Sequence, residues 1–177
     1  MFREATVDDL VGLRDLEREA NLVGLGHVFP PERFPFPDDA VLARWALVLD
    51  EPGVTVLVRD ADDLGGTGDT GGAGLALLAA YDDRQLRHLA VHPDHWGQGL
   101  ASTAVARVLH EMGRRGTTTA ELWCLVENHR ARRLYEHLGW QPTADRQEAP
   151  WPPHPTEMRY TRPVAQAVLR PVGGAGR

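Results

Sequence analysis

The stretch that most constrains this chain is Val91-His92-Pro93-Asp94-His95-Trp96-Gly97-Gln98-Gly99-Leu100-Ala101. An apolar strand candidate runs into a proline, then a short glycine-rich turn, then a long amphipathic segment. In that segment Leu100, Ala104, Val105, Val108, Leu109 and Met112 recur at helical spacing. A strand that turns on glycines into a helix start aims several unpaired backbone N–H groups at one point. The positive end of the helix dipole lies there, so the turn favours a phosphate or pyrophosphate.

Bulk properties narrow the class. The chain has 177 residues, read as one domain over residues 1–163 followed by a flexible tail, 164–177. That length buries a core without disulfide staples. The formal net charge is −6, so no basic excess exists to neutralise nucleic-acid phosphates, and no nucleic-acid partner is expected. Arg130, Arg132 and Arg133 form a local basic run, read as a solvated helix face. The single cysteine, Cys124, excludes an intramolecular disulfide and reads as a small core residue. Met1-Phe2-Arg3-Glu4 lacks an apolar signal core, and no run approaches a transmembrane helix in length. A soluble cytoplasmic protein without a membrane partner is the expectation.

Along the chain, Phe2–Ala5 reads as a short strand. Thr6 reads as the cap of a helix that continues to about residue 20. Gly24–Pro37 holds four prolines and three phenylalanines, Phe29, Phe34 and Phe36, and reads as an apolar loop. A second helix begins at Asp38 or Asp39. Val54–Arg59, Leu75–Tyr81 and Gln85–Val91 read as strands. Between the first two, the Gly- and Asp-rich residues 61–74 read as a mobile hairpin connection. The helix after the glycine turn is expected to end at Gly113 and Gly116. A buried strand follows over Thr117–Val126, then a helix over Asn128–Leu138 closed by Gly139. Trp140 starts a strand, Pro142–Pro155 reads as a polar loop carrying Trp151, and Thr156–Thr161 reads as the last strand. Gln85 through the helix to Val126 is a strand–helix–strand crossover. Its strands should be parallel, with the ligand at their carboxyl ends.

Two linked motifs make the chain resemble the general-control-related N-acetyltransferase (GNAT) superfamily. The first is Leu89-Ala90-Val91, His92-Pro93 and the turn Trp96-Gly97-Gln98-Gly99-Leu100-Ala101. Gly99 and Ala101 fit the family pattern of Gln or Arg, two residues, Gly, one residue, Gly or Ala, whereas Trp96 replaces its polar first residue. The second is Asn128, Ala131, Leu134-Tyr135 and Leu138-Gly139-Trp140. The resemblance covers roughly Arg3 to Thr161 and is most specific from Leu86 to Trp140. It implies an α/β (α+β) fold: a single mixed, mostly antiparallel twisted sheet with a central, parallel, splayed strand pair flanked by helices.

The resemblance further implies an enzyme that carries an acetyl group from acetyl-CoA to a primary amine of a small molecule or peptide, by direct attack in a ternary complex, without a metal. The cofactor-binding residues would be Leu89, Ala90 and Val91, whose strand pairs with the pantetheine arm. The turn Trp96, Gly97, Gln98, Gly99, Leu100, Ala101 and Ser102 would hold the pyrophosphate, and Asn128, Ala131 and Tyr135 would face the arm from the next helix. Tyr135 would donate to the departing thiolate. A phenol near pKa ~10 and a thiol near ~8.5 leave full proton transfer uphill by roughly 2 kcal/mol, so hydrogen-bond stabilisation is the better description. Read from the helix alone, Tyr135 is a half-buried packing aromatic. Asn128 reads as an N-cap, with a contact to the arm added by the resemblance.

Similar enzymes place a carboxylate on the strand before the turn. Here Gln85-Leu86-Arg87-His88-Leu89 has none, which leaves His88, a water relay from Asp82 or Asp83, or a more distant acid as base; the plain reading of His88 is a structural histidine. His92 and His95 have no third ligand in register. His27, Phe29 and Phe34, with Phe36 and, across the sheet, Trp151 and Trp123, are the candidate acceptor wall, or else rings that cap the core. A non-catalytic acyl-CoA sensor or scaffold is the second reading, and a nucleotide enzyme the third. The turn lacks the Lys-Ser/Thr ending of a P-loop. Pairing of the last strands in a homodimer is a further implication of the resemblance.

Overall fold

The computed structural model describes residues 1–64 and 74–165. Its strands are β1 (Arg3–Glu4), β2 (Thr55–Asp60), β3 (Leu75–Tyr81), β4 (Leu86–Val91), β5 (Thr119–Leu125), β6 (Gln141–Glu148) and β7 (Thr156–Pro163). Its helices are α1 (Leu10–Leu25), α2 (Asp38–Asp50), α3 (Leu100–Arg114) and α4 (His129–His137). Among the described residues no helix is long and apolar enough to cross a membrane.

Hydrogen bonding divides the strands into two antiparallel sheets, β1-β2-β3-β4 and β5-β7-β6. They meet at one parallel bridge, Gln85 with Glu121, where the Glu121 N–H donates to the Arg84 carbonyl at 2.9 Å. Past that point β4 and β5 part. The expected parallel pair is present, but splayed so early that the single sheet becomes two sheets joined at one end. The buried Glu121 carboxylate pins the closed end through ion pairs with Arg84 and Arg159.

Strand alternation explains the layers. Val56, Val58, Leu78 and Ala80 face α1 and α2, packing with Leu13, Leu16, Val41, Trp45 and Val48. Leu57, Leu77 and Ala79 face the other side, with Leu100, Ala104, Val105, Val108, Met112 and Tyr135 from α3 and α4. Covered on both faces, β3 is buried at every residue, which accounts for its continuous apolar run.

Several expectations change. Thr6 opens a 3₁₀ turn, Val7–Asp9, rather than the helix itself. Its N–H donates to Asp9 Oδ2 at 2.8 Å, and α1 then runs on to Leu25. The first half of the expected polar loop 142–155 is strand, because β6 reaches Glu148. β6 is an exposed edge whose residues QPTADRQE show no alternation, and pairing with β7 defines it. Its proline sits at an irregularity in that pairing, as an edge permits.

Gly113 does not end α3. It is buried in the last turn, where a Cβ would stand 2.5 Å from the Ala165 carbonyl oxygen, so glycine lets the chain after β7 cross the helix. The connection between β2 and β3 closes at its base, with the Ala61 N–H donating to Gly74 O at 2.8 Å. The expected mobility of residues 61–74 falls mainly on 65–73, and that of the tail on 166–177, outside the described residues.

Candidate functional site

The opening between β4 and β5 forms a cleft of about 430 Å³. One wall is the carboxyl end of β4 with the turn into α3; the other is the start of α4; part of α1 covers it. The turn is built as the glycines require. Gly97 and Gly99 have φ of +78° and +77°, a region L side chains rarely adopt. A Cβ at either would meet nothing within 4 Å, so backbone conformation, not crowding inside the chain, demands glycine there. His92 caps the short 3₁₀ turn Pro93–His95, its Nδ1 accepting from the Asp94 N–H at 3.3 Å. Trp96 donates its indole N–H to the Val91 carbonyl at 2.7 Å, tying the turn back to β4. The first N–H of the helix to find an internal acceptor is that of Thr103, on Gly99 O at 3.0 Å. Those of Leu100, Ala101 and Ser102 have no acceptor among the described residues and lie at the positive end of α3.

On the opposite wall, Asn128 caps α4. Its Oδ1 accepts from the Ala131 N–H at 3.1 Å. Tyr135 is 7% exposed and lies against Trp140 and Tyr160, with ring centroids at 6.1 and 6.2 Å. Gly139, at φ +82°, ends α4, and the Trp140 N–H returns to Tyr135 O at 3.0 Å, which brings the indole under the tyrosine ring. The Tyr135 hydroxyl has no hydrogen-bond partner among the described residues. Burial, and next the neighbouring Cys124, push its pKa up, so it stays a donor. Burial likewise pushes the Cys124 thiol up to about 12, in keeping with a core residue.

A second cavity of about 600 Å³ lies between α1, the loop before α2 and the β6–β7 loop. Phe29, Phe34, Phe36 and Trp151 line it, with Glu17 and Arg33 its charged side chains. Asn21 lines both cavities and marks where they adjoin.

The cleft therefore gathers Leu89, Ala90, Val91, Trp96, Gly97, Gly99, Leu100, Ala101, Ser102, Asn128, Ala131 and Tyr135. Gln98 is not in its lining; its amide turns back to the Asp94 carbonyl at 3.3 Å. Phe29 and Phe34 reach the second cavity, but His27 does not, since its Nε2 lies 3.0 Å from the Glu127 carbonyl. Trp123 lines neither cavity.

His88 lines neither cavity either. Its ring packs 5.1 Å from that of Trp45 at 57°, and burial, then Arg44 and Arg87, push its pKa down to about 3. The ring therefore stands as a packing neighbour of Trp45, outside the lining of both cavities. The rings of His92 and His95 are 6.0 Å apart, and among the described residues no three His, Cys, Asp or Glu side chains are grouped to hold a metal.

Sequence reasoning missed Ala20, Asn21, Gly24 and Leu25 of α1, and His95, Arg130 and Leu134. The available signal was Ala20 and Gly24, small residues one turn apart; a Cβ on Gly24 would lie 3.6 Å from the Trp96 ring.

A sheet splayed beside a glycine turn, faced by an Asn-capped helix carrying a buried tyrosine, matches known proteins. The chain belongs to the acetyltransferase (GNAT) family, whose profile matches residues 13–140. Over 56 residues, 32% of this chain, it is 43% identical to mycothiol acetyltransferase of Beutenbergia cavernae; the match spans only 19% of that relative's length. Its fold is similar to the ribosomal-protein-S18-alanine N-acetyltransferase of Escherichia coli, with TM-score 0.65 and 20% identity over 94% of this chain and 95% of that one. It is also similar to the PaiA N-acetyltransferase of Thermoplasma acidophilum in complex with coenzyme A, with TM-score 0.63 and 14% identity over 90% and 96%.

Proposed function

We propose that the protein is an acetyl-CoA-dependent N-acetyltransferase acting on a primary amine of a small molecule or peptide, with residues 1–163 as its domain. The observation that carries this is the conjunction of the N–H groups at the start of α3, the edge of β4 that faces away from β3, and the hydroxyl of the buried Tyr135 in one cleft. Family membership and a structural relative crystallised with coenzyme A support the choice of donor.

The residues present fit that donor. Gly97, Gly99 and the first turn of α3 would receive the pyrophosphate with open space at both glycines. The edge of β4 opposite β3 offers backbone groups for an extended amide-bearing arm. Acetyl-CoA supplies the activated thioester. A backbone N–H at the end of β4 would polarise its carbonyl. The acceptor ammonium first loses one proton to water. Its nitrogen lone pair then forms the C–N bond as the C–S bond breaks, and the second nitrogen proton leaves as the thiolate is protonated. Tyr135 would donate to that sulfur; the products are the amide and the free thiol of CoA. His88, held neutral against Trp45, has no part in this scheme.

The alternative, an acyl-CoA sensor on the same fold, draws support from the lack of a carboxylate on β4. Two measurements decide. Saturating acetyl-CoA is expected to raise the melting temperature, and an amine panel is expected to release CoA thiol. A melting shift without thiol release from any amine selects the sensor, and absence of the shift overturns both readings.

A further inference from the structure

We infer that the second cavity holds the body of the acceptor, and that the acceptor is a small primary amine carrying an aromatic or branched aliphatic group. This rests on the reading of the cleft as the acetyl-CoA site. Three observations carry it.

The first is position. Asn21 lines both cavities, so a molecule in the second one reaches the donor cleft at that side chain. Glu17 lies one helical turn before Asn21 on the same face of α1. An amine at the junction therefore has the Asn21 carboxamide beside it.

The second is construction. Phe29, Phe34, Phe36 and Trp151 surround the volume, and hydrogen bonds order the segments that present them. The Phe29 N–H donates to Leu25 O at 2.8 Å and the Phe34 N–H to Pro30 O at 2.8 Å, while Arg18 of α1 holds Asp38 of α2 at 2.8 Å. The loop carrying Trp151 is closed by Ala149 N–H on Pro155 O at 2.9 Å and His154 N–H on Trp151 O at 2.8 Å. The rings thus stand around a space of about 600 Å³ instead of filling it, within the size range of small-molecule sites.

The third is charge. Glu17 is the lining carboxylate, and its Oε2 already accepts from Arg44 and, at 2.9 Å, from the Trp45 indole N–H. Arg33 adds a positive charge at the same cavity. Among the described residues that line the cavity no uncompensated carboxylate is present to hold a second ammonium, which argues against polyamines. The rings offer few hydrogen-bond partners, which argues against polyhydroxylated amines.

The test compares kcat/KM for phenethylamine and isoamylamine with that for ethanolamine and spermidine, together with the melting shift caused by acetyl-CoA. The apolar amines are expected to be better by at least about tenfold. Phe34→Ser and Trp151→Ala are each expected to erase most of that advantage, chiefly through KM, while the acetyl-CoA shift persists. Equal or better use of ethanolamine or spermidine, no turnover of the apolar amines, or an advantage that survives both substitutions overturns the inference, provided the acetyl-CoA shift is intact. Loss of the shift in the unsubstituted protein overturns the donor reading instead, so the two failures are distinct.

Discussion

The guanidinium carbon of Arg130 sits 3.6 Å from the centroid of the Trp96 ring. Trp96 belongs to the glycine turn and Arg130 to the first turn of α4, so the contact joins the two walls of the cleft that both residues line. The indole is fixed by its bond to the Val91 carbonyl, and the face of a fixed ring attracts a cation placed over it. Arg130 forms no ion pair with a carboxylate among the described residues. Arg130 is exposed, as its basic run implies, and the Trp96 ring sets its guanidinium against the cleft.

Arg130→Ala is expected to weaken acetyl-CoA binding by about fivefold in dilute buffer, and by less at high salt, because an exposed cation is screened. Titration calorimetry at two ionic strengths measures this. An unchanged affinity in dilute buffer removes Arg130 from the donor site.

Tyr135→Phe keeps the ring that packs on Trp140 and Tyr160 and deletes a hydroxyl that has no partner among the described residues. Stability and acetyl-CoA affinity are expected to stay near those of the parent, while turnover falls by about a hundredfold. Single-turnover kinetics tests this directly. Unchanged chemistry in that experiment rules out the hydroxyl as the donor to sulfur.

His88 makes stability depend on acid. Its imidazole titrates near ~6.5 in an unfolded chain but only near about 3 in the fold, so between those values the unfolded state binds one more proton. The stability tied to neutral His88 is complete above about pH 6.5 and is lost as pH falls toward 3, at no more than about 1.4 kcal/mol per pH unit. Urea midpoints for the parent should fall between pH 7 and 5, and those of His88→Gln should fall less. Parallel profiles for the two proteins contradict the assignment.

The site was legible where chemistry is local. Gly97 and Gly99 are needed for a backbone conformation that depends on no distant residue, and Asn128 caps the helix it begins. His27 and Gln98 stand outside the cavity linings, each held by a bond that no local pattern announces, to the Glu127 and Asp94 carbonyls. Asn21, Ala20 and Gly24 were missed because α1 is remote in sequence from the motifs it covers. The polar residues of β6 carry no strand signal, and only the neighbouring β7 makes them one.

The sequence by itself determined the turn from β4 into α3, the Asn-capped helix with its tyrosine, and the family they mark, since these rest on periodicity, capping and left-handed glycines within short spans. Tertiary structure alone decided where the sheet parts, that His88 packs against Trp45 away from both cavities, and that Asn21 stands between cleft and aromatic cavity. Each of these follows from burial and contacts between segments far apart in the chain, where the free energy of packing, not local preference, selects the neighbour.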